Sequence, residues 1–355
     1  MSVTDQITGR ERVLAALEHR CLDRIPITET HFWPETIERW RQEGFPENAD
    51  ALDYFGLEFV PVRYEGGLLR PEQIIEENER ILVRRCSDGT VRREWKGRSA
   101  VPQTLEYPLN CEEDWPRIRD EMLAEPERRV QGMKQDCDGH HRAGRFVAFA
   151  ASEPGFYCLR VMSLETFAGA VIEKPGLLCG IMATMVRQFC DAYDRALALG
   201  MDPDGVMIYG DLCYRNGPFL SPRHYRELVL PYQRAIADYT RKPVIWHCDG
   251  DVRLLLPFVA DAGITCMQPL EARAGNDVRL LKKQYGERLA FMGNISVEAL
   301  SAGGYVLEEE VRSKVTAAKQ GGGYIYHSDH SIPPSVSLEN YARALELARE
   351  CGSYA

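Results

Sequence analysis

Two short segments concentrate the residue types that bind metal ions or move protons: His247-Cys248-Asp249-Gly250-Asp251 and His327-Ser328-Asp329-His330. In an extended chain residues i and i+2 point to one side, so His247 and Asp249 can offer an imidazole nitrogen and a carboxylate oxygen to a single centre. Such a pair either ligates a divalent metal or works as acid and base. Glu271 is a further ligand or a base, and His327 and His330 compete as the third ligand. Asp211 and Glu153 are expected to position a substrate, and Tyr209, His31, Asn294 and His327 to touch it. Each has a plainer alternative. Asp211 could cap the helix that starts near Ser221, Asn294 could occupy a turn, and a histidine could be a core residue bonded to a carbonyl.

These residues become a site only if the fold gathers them, and the spacing of apolar runs says how. Runs at 146–150, 206–209, 244–246, 264–267, 289–292 and 324–326 are each followed by a loop and a helical pattern. Val13, Leu14 and Leu17 mark an opening helix over 10–19, and Asp23-Arg24-Ile25-Pro26-Ile27 starts a first strand. Leu57 to Val62 is a second. Eight strands alternating with helices predict an α/β fold, a (β/α)₈ TIM barrel of one domain over residues 1–355, with an open doubly wound sheet as the alternative. No G-x-G-x-x-G turn follows any of these strands, which weakens a dinucleotide-binding version of that alternative. In a barrel the carboxyl ends of the strands form the active site, and that is where these polar residues fall.

Residues 66–143 break the rhythm. Alternation over 81–96 around Ser87-Asp88-Gly89-Thr90 predicts a hairpin, and 112–134 is a charged helical stretch. Together they read as an insertion between strands two and three.

A chain of 355 residues, 45% hydrophobic, can bury a large core, and a formal charge of −10 argues against a groove for a phosphate backbone. Eleven scattered cysteines with no C-x-x-C pair read as reduced thiols rather than a zinc ribbon. No run approaches the length of a membrane span, and residues 1–12 are polar rather than a signal peptide, so a cytoplasmic protein without membrane or nucleic-acid partners is expected.

Several pieces together resemble the uroporphyrinogen decarboxylase superfamily. They are Arg10-Glu11-Arg12-Val13-Leu14 with Asp23-Arg24-Ile25-Pro26, Ser221-Pro222-x-x-Tyr225 with Pro231, Pro243 to Gly250, Tyr285-Gly286 with Gly293, and Gly321-Gly322-Gly323-Tyr324-Ile325 with Glu339-Asn340. The resemblance implies a (β/α)₈ barrel. True uroporphyrinogen decarboxylases carry a Met-Arg-Gln-Ala-Gly-Arg segment after the first strand, for the substrate carboxylates. Here that place reads Glu29-Thr30-His31-Phe32-Trp33. Without those guanidinium forks a porphyrinogen would be poorly held, which turns the resemblance toward the corrinoid-dependent methyltransferases of the superfamily.

That branch implies zinc held by a His-x-Cys pair after strand five and a Cys after strand eight. Here the places hold His247-x-Asp249 and His330, a harder donor set that suits activation of a hydroxyl, an amine or a ring nitrogen. The resemblance thus implies a methyltransferase with His247, Asp249 and His330 on zinc or another divalent metal, and a separate corrinoid protein as partner, since the chain has no cobalamin-binding domain. A homodimer is the expected assembly. A cofactor-free decarboxylase or lyase acting on a small carboxylic acid is the alternative function.

Overall fold

The computed structural model describes residues 7–97 and 100–354. Its strands, in chain order, are β1 (Phe59–Arg63), β2 (Gln73–Glu77), β3 (Ile81–Arg85), β4 (Val91–Trp95), β5 (Gln103–Glu106), β6 (Phe146–Ser152), β7 (Gly205–Tyr209), β8 (Cys213–Tyr214), β9 (Gly217–Pro218), β10 (Val244–Cys248), β11 (Cys266–Pro269), β12 (Ala290–Met292) and β13 (Tyr324–Ile325). Seven of them form one parallel sheet in the order β1-β6-β7-β10-β11-β12-β13. Helices cross over between them, among them Pro175–Ala198 after β6, Leu230–Thr240 after β7, Val278–Tyr285 after β11, Gly304–Ala318 after β12 and Leu338–Gly352 after β13.

The strands are apolar along almost their whole length because both faces are covered. On β6, Val147, Phe149 and Ala151 join the core between sheet and helices, while Phe146, Ala148 and Ala150 join a second core on the inner face. That inner core continues through Phe59, Met207, Ile245, Cys266, Ala290, Met292 and Ile325, and Val13, Ala16 and Leu17 of the first helix, Gly9–Leu17, pack into it. A Thr8/Glu11 capping box starts this helix.

The first strand expected over 23–27 is not a strand. Ile27 makes only an isolated parallel bridge to Tyr326, flanked by Tyr326 N donating to Pro26 O and Thr28 N to Tyr326 O, while Ile27 O accepts from Glu58 N. Pro26 has no N–H, so a regular ladder cannot form through it. The segment nonetheless joins the two edges of a curled sheet.

Between β1 and β6 the chain leaves the parallel sheet. The expected hairpin is present as β3 and β4, with Gly89 at φ +83° in its turn, and β2 and β5 widen it to a four-stranded antiparallel sheet. Among the described residues no single helix is long and apolar enough to cross a membrane. In the stretches before β11 and β12, Leu255, Val259, Val278 and Leu281 carry the packing while Leu254 and Leu280 are exposed.

A candidate metal centre at the strand carboxyl ends

Parity along the strands fixes what faces inward at the top of the sheet. Ser152, Tyr209, His247 and Gln268 each lie two residues beyond an inner-core residue: Ala150, Met207, Ile245 and Cys266. Strand register aligns these four as consecutive neighbours, Ser152 with Tyr209, Tyr209 with His247, and His247 with Gln268. They form one layer above the inner core.

His247 is held by its neighbour in that layer. Its Nδ1 lies 2.6 Å from Gln268 Oε1, while Gln268 Nε2 lies 3.2 Å from His327 Nε2. His327 Nδ1 is 2.6 Å from the carbonyl oxygen of Ser328 and so carries a proton, leaving Nε2 to accept from Gln268. The amide therefore accepts from His247 Nδ1–H and leaves the His247 Nε2 lone pair free. That nitrogen lies 3.7 Å from Asp211 Oδ1.

Asp211 and Asp249 complete a cluster with His247, in which one ligand atom from each lies within 4.8 Å of the others. Asp249 N donates to Asp211 Oδ1 at 2.9 Å. The Asp249 side chain has Oδ2 3.8 Å from His330 Nε2, and its Oδ1 is buried without a hydrogen-bond partner among the described residues. Burial raises its pKa to about 6, the carboxylates of Asp211 and Glu271 push the same way, and His247 and His330 oppose them. A buried, unpaired carboxylate oxygen beside a second carboxylate and an imidazole lone pair is a donor set that a divalent cation satisfies. The turn that delivers Asp249 requires Gly250, at φ +84°, where a Cβ would meet the Tyr214 backbone at 2.7 Å.

Other expected residues serve different ends. Glu271 lies outside the three-residue cluster: Oε2 accepts from Gly250 N at 2.8 Å and Oε1 pairs with Arg273, so it braces the turn under Asp249. Glu153 caps the helix Pro154–Val161 through Phe156 N (2.6 Å) and takes Gln233 Nε2 on its other oxygen (2.9 Å), so it positions no substrate. Asn294, at φ +75°, is fully buried; its amide accepts from Val278 N and donates to Leu270 O and Asn276 O. It shapes the loop instead of touching a substrate. His327 is buried too, its Nε2 contacted by Thr30 N (3.1 Å), Gln268 and Glu29 Oε1 (3.0 Å), which leaves no edge for a substrate.

Tyr209 faces inward with the Arg63 guanidinium 4.3 Å above its ring. His31 stands exposed within electrostatic reach of Arg63 and His330; desolvation and then their charges lower its pKa. His330 joins the cluster only through Asp249, and Asp211 takes the third position. Gln268 and Glu29 stand at strand ends in the sequence, but their types alone assign them no role. Counting by twos from Cys266 along β11 would have placed Gln268 beside His247.

A curled parallel α/β sheet with a polar cluster at its carboxyl ends defines the class, that of TIM-like folds. The chain belongs to the uroporphyrinogen decarboxylase family, whose model, described as Uroporphyrinogen decarboxylase (URO-D), matches residues 173–351. Among curated relatives, the uroporphyrinogen decarboxylase of Methylococcus capsulatus is 23% identical over 184 residues, covering 50% of each chain. That of Idiomarina loihiensis is 28% identical over 186 residues, 49% of this chain and 47% of its own. The chain thus spans about half the length of the curated relatives it matches. Among solved structures, a methyltransferase from Methanosarcina mazei superposes with a TM-score of 0.64 over 97% of this chain and 99% of its own, at 18% identity. The two share a fold.

Proposed function

We propose that this chain is a metal-assisted methyltransferase that moves a methyl group between a corrinoid protein and a small-molecule donor or acceptor. The sheet is then an eight-fold barrel, with residues 26–28 as the eighth stave and the excursion between β1 and β6 as an insertion. The observation that carries the reading is the partnerless buried Oδ1 of Asp249 beside His247 Nε2 and Asp211. The fold shared with a methyltransferase supports it, as does the segment Glu29-Thr30-His31-Phe32-Trp33, which brings no arginine for porphyrinogen carboxylates.

Asp211, His247 and Asp249 would hold the ion, with His330 beside Asp249. A divalent ion such as zinc supplies Lewis acidity to the heteroatom that loses or gains the methyl group. The chain's own part is preorganisation. Gln268 keeps the His247 lone pair on the centre, and Glu271, braced by Arg273, holds the turn that presents Asp249.

Protein purified without chelator should contain about one divalent ion per chain, and His247→Ala or Asp249→Asn should lose both the ion and methyl transfer to a reduced corrinoid protein. Incubation with uroporphyrinogen should give no coproporphyrinogen. Absence of metal with no uptake of added zinc, or carbon dioxide release from an acid at a catalytic rate, would favour direct acid-base decarboxylation through His247 and Asp249.

A further inference from the structure

A cavity of about 110 Å³ opens beside Tyr209. Ser152 and Tyr209 line it from the ends of β6 and β7, Tyr157 and Arg160 from the helix after β6, and Asp88 from the β3–β4 turn. Its lining holds one carboxylate, Asp88, and one guanidinium, Arg160, and two more guanidinium groups, Arg92 and Arg63, stand against lining residues without being part of the wall. Asp88 accepts from Thr90 Oγ1 (2.6 Å) and Arg160 Nη2 (2.9 Å) and pairs with Arg92, so one carboxylate faces two guanidinium groups. A third, Arg63, points inward by the parity of β1 and lies over the Tyr209 ring, with no acidic group within ion-pair distance among the described residues. A guanidinium stacked on a ring keeps its N–H edge free for an oxyanion. Ser152 Oγ is buried here with no hydrogen-bond partner among the described residues. By contrast, Gln188 is fully engaged by Gly67, Met122 and Tyr64 and serves as wall.

We infer that this cavity binds a carboxylate of the substrate, with Arg63, Arg160 and the hydroxyls of Ser152 and Tyr209 as donors. The mouth is then bipolar, with guanidinium groups around Tyr209 and carboxylates of Asp211 and Asp249 around His247. Ser152 and His247 stand two strands apart in one layer, a backbone separation on the order of 10 Å that a small molecule bridges. Resting on the methyltransferase reading for events at the far end, the substrate class is a small carboxylic acid methylated on a heteroatom, held by its acid group while the heteroatom lies at the metal cluster.

Acid recognition can be tested without methyl transfer. Benzoate, phenylacetate and butyrate, with their primary amides as uncharged controls, are titrated calorimetrically into the full chain as purified and again after chelation. At least one acid should bind in both states, its amide at least about tenfold more weakly, since charge-assisted hydrogen bonds are lost. Arg63→Gln should weaken the acid about tenfold or more with an unchanged melting curve, because Arg63 is exposed, and Ser152→Ala should weaken it to a lesser degree. Arg160→Lys, which can keep an ion pair to Asp88, separates recognition from folding. Equal binding of acids and amides, no binding of any acid, loss of binding on chelation, or an Arg63→Gln chain that binds as wild type would each overturn the inference. Acid binding without methyl transfer to a corrinoid protein would instead remove the methyltransferase reading and leave the acid site standing.

Discussion

Glu29→Gln probes the buried network beneath the cluster. Glu29 is fully buried; Oε2 accepts from Ser328 Oγ at 2.6 Å and Oε1 lies 3.0 Å from His327 Nε2. Burial raises its pKa from 4.5 to about 8, while burial lowers that of His327 to about 4. At neutral pH both are uncharged, so no charge is left buried between Glu29 and His327. As the folded pKa lies above the unfolded one, folded Glu29 keeps a proton that the unfolded chain releases between 4.5 and 8. Its contribution is therefore full below about pH 4.5 and is lost as pH rises to about 8. At roughly 1.4 kcal/mol per pH unit, the gap of roughly 3.5 units amounts to about 5 kcal/mol. Glutamine is neutral at every pH and keeps an acceptor for Ser328 Oγ. Urea unfolding of both chains from pH 5 to 9 measures the effect as a difference, which cancels the other titrating groups. The variant should match wild type within about 1 kcal/mol at pH 5 and exceed it by several kcal/mol at pH 9. A difference that stays constant with pH would refute a Glu29 that is protonated at neutral pH.

Two further outcomes concern the cluster itself. Gln268→Leu removes the acceptor that orients His247 and should lower zinc affinity about 10–100-fold, read by competition with a chromophoric chelator, with the fold intact. Zinc affinity of the wild-type chain should fall about tenfold per pH unit below about 6, where Asp249 takes up a proton in the metal-free cluster, and Asp249→Asn should flatten that part of the profile.

The sequence made the strand ends legible because doubly covered strands are continuous apolar runs, and all seven strands of the parallel sheet stand where those runs fall. His247 and Asp249 were readable for the same reason, their spacing being the strand period. What composition hides is partnership. Asn294, His327 and Glu153 have residue types that suit chemistry, yet backbone groups and buried neighbours occupy them, and only three-dimensional contacts separate the two uses. Strand β2 escaped notice because all five of its residues are exposed and carry no alternation. The expected first strand failed at Pro26, where a missing donor reduces a ladder to isolated bridges.

The β3–β4 turn that brings Asp88 to the mouth belongs to a sheet with no ladder to the seven parallel strands. The layer holding His247 is set by the register of four adjacent strands, where a one-residue slip would turn every side chain to the other face. The turn carries no such constraint. A change in hairpin length or composition can therefore re-aim Asp88, and the Arg160 guanidinium that it holds, while Ser152, Tyr209 and His247 keep their places in the layer.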